Sequence, residues 1–158
     1  MPVTITHHPE LRLAISRPRG VVTADEVSAA WGEFYLRHRS LAGYSAVVDH
    51  RQVRSYEIDH AQMRSMVRTH VAAVTAGIAP DRIAQFAPRD LSFGMARMFE
   101  LLATAQVPTD IAVFARMEEL AEWLNLPCPT VRQILDAGLP GDPAADGGRP
   151  LGLRGNSC

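Results

Sequence analysis

Charged and imidazole side chains follow directly after an apolar run of strand length. The run from Tyr44 to Val48 lacks polar alternation, which is typical of an interior parallel strand covered on both faces, and Asp49, His50 and Arg51 come next. Ligands of open α/β sheets usually bind beyond the carboxyl ends of such strands. We therefore expect a binding site at this end of a sheet.

Further polar side chains fall at neighbouring strand ends and helix starts. Arginine forks beside the free N–H groups of a helix N-terminus suit a carboxylate or a phosphate, so this set predicts a pocket for a small anion. Ordinary helix caps and solvated arginines are the structural alternative. The predicted ligand-binding residues are Asp49, His50, Arg51, Arg54, Tyr56, Asp59, His60, Arg89 and Arg116.

Two imidazoles and two carboxylates of this set could also serve in catalysis or hold a metal. Neutral imidazole and carboxylate suit zinc or iron, and Asp49, His50, Asp59 and His60 supply them. Adjacent strand residues point in opposite directions, however, and no H-E-x-x-H, G-x-S-x-G, G-x-G-x-x-G or P-loop motif is found. We expect no metal and no cofactor, and an enzyme using these four residues is the alternative function.

Composition limits the class of protein. The chain has 158 residues, 47% hydrophobic and 21% charged, as expected of one globular domain. Sixteen arginines and no lysine face seventeen acidic residues, and the net charge of -1 predicts neither nucleic-acid nor anionic-membrane binding. Residues 1–10 do not resemble a signal peptide, and no apolar run reaches about 18 residues, so a cytoplasmic location is expected.

The elements that must position the polar residues alternate between strands and helices. β-rich runs around His8-Pro9-Glu10 predict a hairpin, and capping residues at Thr23, Asp59 and Asp90 predict three helix starts. The order ββαβαβαβα favours an α/β fold with a single small mixed, largely parallel sheet and helices packed against it. The predicted strands are 3–6, 11–16, 44–48, 82–87 and 111–114, and the fourth helix is 117–124.

Two residues of the predicted helices invite a specific interpretation. His70 lies on the apolar side of the second helix, where a hydrogen-bonded buried imidazole is the expected case. Gly94 lies within the third helix, where glycine lowers helix stability by about 1 kcal/mol relative to alanine. Its presence there indicates close packing or a ligand near the first turn.

The C-terminal part changes in character. A capping box over residues 130–133 predicts a short helix that ends at Gly138, and the Gly- and Pro-rich residues 139–158 predict a flexible tail. The predicted domains are 1–126, 127–138 and 139–158. Two cysteines, Cys128 and Cys158, predict no disulfide framework, and the terminal one is expected to be an exposed thiol.

The element order and three short stretches resemble the STAS/SpoIIAA-like group of small bacterial domains. The stretches are Thr23–Glu26, Tyr44-Ser-Ala-Val-Val-Asp49 and Phe93-Gly-Met-Ala-Arg-Met-Phe-Glu100, and the resemblance covers about residues 3–126. It implies a SpoIIAA-like fold and a regulatory or binding domain without catalysis, often dimeric or attached to partners. Where such domains carry a phosphorylated serine in an Asp-Ser-Ser-Gly-type helix start, this chain has Glu57-Ile58-Asp59-His60, so no phosphoswitch is implied.

We therefore expect a bacterial regulatory domain that binds a protein partner or a small anionic ligand. Besides the enzyme, a second alternative is an obligate homodimer in which the tail or the helix near residues 130–137 docks on a neighbouring copy.

Overall fold

The computed structural model describes residues 2–139 and residue 158. The chain forms two compact units, Met1–Ala115 and Arg116–Cys158. The domain boundaries predicted at residues 126 and 138 remain predictions, and residues 140–157 of the predicted flexible tail lie outside the described part of the chain. No helix among the described residues combines the length and the apolar character that crossing a membrane requires.

The first unit is an α/β layer built on a five-stranded sheet. The strand order is β1-β2-β4-β6-β7, with β1 antiparallel to β2 and the remaining neighbours parallel. The predicted mixed, largely parallel sheet is therefore confirmed. The elements are β1 Val3–His8, β2 Leu13–Pro18, β3 Gly20–Thr23, α1 Ala24–His38, β4 Ser45–Asp49, β5 Val53–Glu57, α2 His60–Thr75, β6 Arg82–Phe86, α3 Asp90–Thr104 and β7 Asp110–Phe114.

The sequence prediction missed the strands β3 and β5, which form a separate two-stranded parallel sheet. β3 has only four residues, and β5 reads Val-Arg-Ser-Tyr-Glu, in which charged and polar residues obscure the apolar pattern. Such strands form because their backbone groups hydrogen-bond to each other in the folded chain. The local periodicity of the sequence contains no information about that pairing. β5 has a functional consequence, because it carries Tyr56.

Side-chain caps begin the first two helices as predicted. The Thr23 hydroxyl accepts from the Glu26 N–H at 3.4 Å, and the Asp59 carboxylate accepts from the Gln62 N–H at 2.7 Å. In both caps the third helical residue also accepts from the cap N–H, which completes a capping box. The predicted cap at Asp90 is wrong by one residue. Arg89 is the cap residue and makes no side-chain bond, while Asp90 lies in the first turn, where the helix dipole favours its charge.

Helices α1, α2 and α3 pack on one face of the main sheet. One buried cluster joins Val67 of α2 and Ala103 of α3 to Ala46, Ile83 and Ile111 of the sheet. Because successive strand residues alternate between faces, the same face also presents a row of three side chains in register across neighbouring strands. The row is Ser16, Val48 and Gln85.

The second unit contains two short helices, α4 Met117–Leu124 and α5 Cys128–Asp136. The bounds of α4 match the prediction. The cap predicted at Thr130 is wrong, because α5 begins after Pro127 and Pro129 occupies its first turn, where a missing N–H is tolerated. Cys158 is not the free thiol that was expected, since it forms a disulfide with Cys128.

Gly94 tests the packing interpretation directly. A Cβ built on Gly94 meets no atom within 4 Å, so the expectation of close packing at this position is wrong.

We predict that Gly94→Ala raises the free energy of unfolding by about 0.5–1 kcal/mol, because alanine loses less backbone entropy in a helix. Urea denaturation measures the change. Gly77→Ala is the matched control and should lower the free energy of unfolding, because Gly77 has φ +69°, a conformation that residues with a side chain rarely adopt. A destabilising effect of Gly94→Ala would contradict the prediction.

Candidate ligand-binding site

A cavity of about 120 Å³ lies in the first unit between the main sheet and helices α1, α2 and α3. Among the residues that the structure describes, no aspartate, glutamate, lysine or arginine lines it. The row of Ser16, Val48 and Gln85 forms part of its floor, and Ala96 of α3 leaves room above that row. Its larger wall side chains are aromatic or thioether groups: Trp31, Tyr35, Met63, Met66, Met95 and Phe99.

His50 is the central polar group of the cavity wall. It follows β4 directly, and its side chain is only 7% exposed. The ring nitrogen Nδ1 lies 2.6 Å from the Tyr56 hydroxyl of β5, and Nε2 lies 2.7 Å from the Gln85 side-chain oxygen of β6. The imidazole thus connects the small sheet to the main sheet through two hydrogen bonds.

Burial determines the protonation state of this group. It lowers the pKa of His50 from 6.5, and the bond to Gln85 and the charge of Asp49 only partly oppose the shift. The ring is therefore neutral at neutral pH and carries one N–H. Because the Gln85 oxygen only accepts, that hydrogen is on Nε2, and Nδ1 accepts from the Tyr56 hydroxyl.

The other titratable side chains of the cavity are uncharged as well. Burial lowers the pKa of His70, whose Nε2 lies 3.4 Å from the Thr109 hydroxyl, as expected of a hydrogen-bonded structural histidine. Burial raises the pKa of Tyr35 to about 12. It also raises the pKa of Tyr56, against smaller opposite effects from the Ser92 hydroxyl and the Arg89 guanidinium. At neutral pH the lining of the cavity carries no net charge.

Asp49 has different surroundings from its neighbour His50. It is 2% exposed and accepts two side-chain hydrogen bonds from Arg51, from Nε at 3.0 Å and from Nη2 at 2.9 Å. The Arg51 guanidinium also lies over the Phe86 ring, 5.6 Å from its centroid. Asp49 further opposes the burial that lowers the pKa of Arg17. The carboxylate is therefore committed to a structural ion pair.

The remaining predicted site residues lie at the surface. Arg54, Asp59, His60 and Arg89 are exposed in the first unit, and Asp59 serves as the cap of α2. Arg116 belongs to the second unit, where it is exposed and lies 3.8 Å from Glu118. Of the nine predicted residues, His50 and Tyr56 line the cavity, and the structure does not bring the other seven to its wall.

Gln85 is the functional residue that sequence reasoning missed. A signal was present, because Gln85 is the polar residue inside the apolar strand Arg82–Phe86, where a side chain covered on both sides should be apolar. Trp31 and the three methionines of the cavity carry no comparable signal, because nothing in their helical spacing distinguishes a cavity wall from a filled core. Within residues 2–139 and 158, no three histidine, cysteine, aspartate or glutamate side chains form a group that could hold a metal ion.

Comparisons with known proteins concern the fold alone. No family model and no curated protein matches this chain. An uncharacterized protein of the DUF3478 family with a SpoIIAA-like fold, from Shewanella loihica PV-4, is 12% identical, with a TM-score of 0.47 over 77% of this chain and 91% of that chain. The anti-sigma factor antagonist SpoIIAA in its unphosphorylated form is 10% identical, with a TM-score of 0.45 over 78% and 97%.

The buried histidine predicts a pH dependence of stability. Below pH 6.5 the unfolded chain binds a proton at His50 that the folded chain does not, so the free energy of unfolding falls with decreasing pH until the lowered folded pKa is reached. The slope contributed by one group is at most about 1.4 kcal/mol per pH unit. Urea denaturation at pH 7.5 and at pH 5, about one unit or more on either side of the unfolded pKa of 6.5, measures it.

His50→Gln should make that slope shallower, whereas His60→Gln, at an exposed position, should leave it unchanged. An identical slope in the wild type and in His50→Gln would refute the assignment of the pH dependence to this ring.

The buried carboxylate predicts a large loss of stability on neutralisation. Asp49→Asn removes the buried negative charge of the Asp49–Arg51 ion pair. We expect the free energy of unfolding to fall by about 3 kcal/mol, near the lower end for buried pairs because the Arg51 side chain is 20% exposed. Glu33→Gln removes the charge of an ion pair whose side chains are 58% and 66% exposed and should cost less than about 0.5 kcal/mol. Equal effects of the two variants, measured by urea denaturation, would contradict this account.

Proposed function

We propose that this protein is a non-enzymatic binding domain whose cavity takes a small, uncharged and largely apolar molecule. The observation that carries the proposal is the chemistry of the cavity wall. Aromatic, aliphatic and thioether groups surround a space without any charged lining side chain, and its histidines and tyrosines are held in their neutral forms.

The volume limits the ligand to a small molecule. An apolar cavity of about 150 Å³ in another protein stays dry and binds benzene. A cavity of about 120 Å³ is therefore suited to a single ring or a short branched chain. Apolar area removed from water contributes about 25 cal/mol per Å², so affinity would come mainly from contact with the walls.

The proposed ligand differs in charge from the anion expected from the arginine-rich rim. A carboxylate or phosphate entering the cavity would lose its hydration and meet no cationic side chain, which makes its transfer unfavourable. Arg54, Arg89 and Arg116 lie outside the cavity wall and are solvated. An anion at those arginines would be a surface ligand, independent of the cavity.

The regulatory role implied by the SpoIIAA-like resemblance would follow from occupancy of the cavity. A ligand that binds only the folded state stabilises it by RT ln(1 + [L]/Kd). Because the cavity is lined by residues of α1, α2 and α3, the ligand would tighten the packing of all three helices on the sheet. This would change the helical surface that is offered to a protein partner.

The alternative of an enzyme using Asp49, His50, Asp59 and His60 has less support. That mechanism needs the four side chains at one cavity. His50 lines the cavity with both ring nitrogens hydrogen-bonded, whereas Asp49 is paired with Arg51, Asp59 caps α2 and His60 is exposed. Their placement favours binding over acid–base chemistry.

Methionine methyl groups provide a direct test of cavity binding. Met63, Met66 and Met95 line the cavity, whereas Met98 is 40% exposed on α3 and does not. We predict that titration of the methyl-labelled protein with toluene shifts the NMR signals of the three cavity methionines and leaves Met98 unchanged. Shifts spread equally over all four, or none at saturation, would contradict the proposed function.

A cavity-filling variant provides the matched control. Ala96→Leu places a larger side chain into the cavity wall and should abolish the toluene-induced shifts. Ala105→Leu makes the same change at an exposed residue just after α3 and should preserve them.

A further inference from the structure

We propose that the ligand of this cavity presents a neutral hydrogen-bond acceptor, such as a carbonyl oxygen, to the side-chain amide N–H of Gln85. This assignment rests on the proposed function and specifies the ligand class. It is carried by a side-chain amide at the cavity wall whose oxygen is hydrogen-bonded to His50, while its nitrogen is not used by the fold.

Gln85 is 6% exposed and lines the cavity. Its side-chain oxygen is used by His50 at 2.7 Å. Its amide nitrogen makes no hydrogen bond to the residues that the structure describes, and it is not one of their fully buried polar atoms without a partner, so it remains accessible. An acceptor on a ligand in the cavity would give this donor a hydrogen bond.

The hydrogen-bond chain behind Gln85 fixes which end of the amide is available. The Tyr56 hydroxyl donates to His50 Nδ1, and the neutral ring donates from Nε2 to the Gln85 oxygen. His50 Nδ1 and one lone pair of the Gln85 oxygen are thereby occupied. The Gln85 N–H groups remain as donors, so Tyr56 and His50 act as positioning residues for the amide.

The chemistry of the wall then selects the ligand group. An amide N–H binds an acceptor and rejects a second donor. A carboxylate also accepts, but without a cation in the lining its charge would stay uncompensated. A carbonyl group meets the requirement without charge, and the rest of such a molecule can contact the aromatic and methionine walls.

A pair of probes with nearly the same shape tests this assignment. Acetophenone and α-methylstyrene differ in one group, a C=O in place of a C=CH₂. We expect wild-type protein to bind acetophenone about 3- to 10-fold more tightly, as measured by calorimetry, the range that one neutral hydrogen bond provides. Both probes should shift the NMR signals of the cavity methionines.

Two variants assign the preference to Gln85. Gln85→Leu removes the donor and should reduce the acetophenone preference to near unity. Ile83→Val changes another residue of the lining without a polar group and should alter the affinity for both probes equally, keeping the preference. If Gln85→Leu does not unfold cooperatively, Gln85→Met replaces it, and the wild-type comparison depends on neither variant.

The outcomes separate the two proposals. Equal binding of both probes by the wild type overturns the acceptor assignment and leaves the cavity proposal intact. Benzoate binding more tightly than acetophenone overturns the neutrality of the ligand. If neither neutral probe binds or shifts Met63, Met66 and Met95, the proposed function fails and the assignment fails with it.

Discussion

The hydrogen bonds on both nitrogens of His50 are the constraint on which the candidate site depends. Tyr56 comes from the small sheet and Gln85 from the centre of the main sheet, so the imidazole holds together two parts of the fold that share no strand pairing. Burial keeps the ring neutral, and neutrality dictates which nitrogen donates. The orientation of the Gln85 amide, and hence the polarity of the cavity floor, follows from that proton.

Asp49, the last residue of β4, and His50, which follows it, differ in their polar chemistry. Asp49 is charged and compensated by Arg51, whereas His50 is neutral and lies at the cavity wall. This separation follows from the alternation of side chains along a strand. It allows one end of β4 to contain a buried ion pair while the lining of the neighbouring cavity stays uncharged. In the proposed function, such a cavity selects its ligand by shape and by a single hydrogen bond.

The predictions from sequence succeeded where short-range signals agree with the tertiary fold. The capping boxes at Thr23 and Asp59 gave correct helix starts, and the apolar run before Asp49 gave a central parallel strand. They were wrong where a neighbour in space overrides the local signal. β3 and β5 pair with each other despite a polar pattern, and Pro129 allows α5 to start before Thr130.

The sequence by itself determined the α/β class, the strand and helix order of the main layer, and the concentration of polar groups after β4, because periodicity and capping are encoded within a few residues. Tertiary structure alone decided which of those groups act together. His50 meets Gln85 across 35 positions of the chain, a pairing set by the register of β4 and β6. The cavity exists because three helices span a floor of small and polar side chains, and its volume depends on packing that no local pattern specifies.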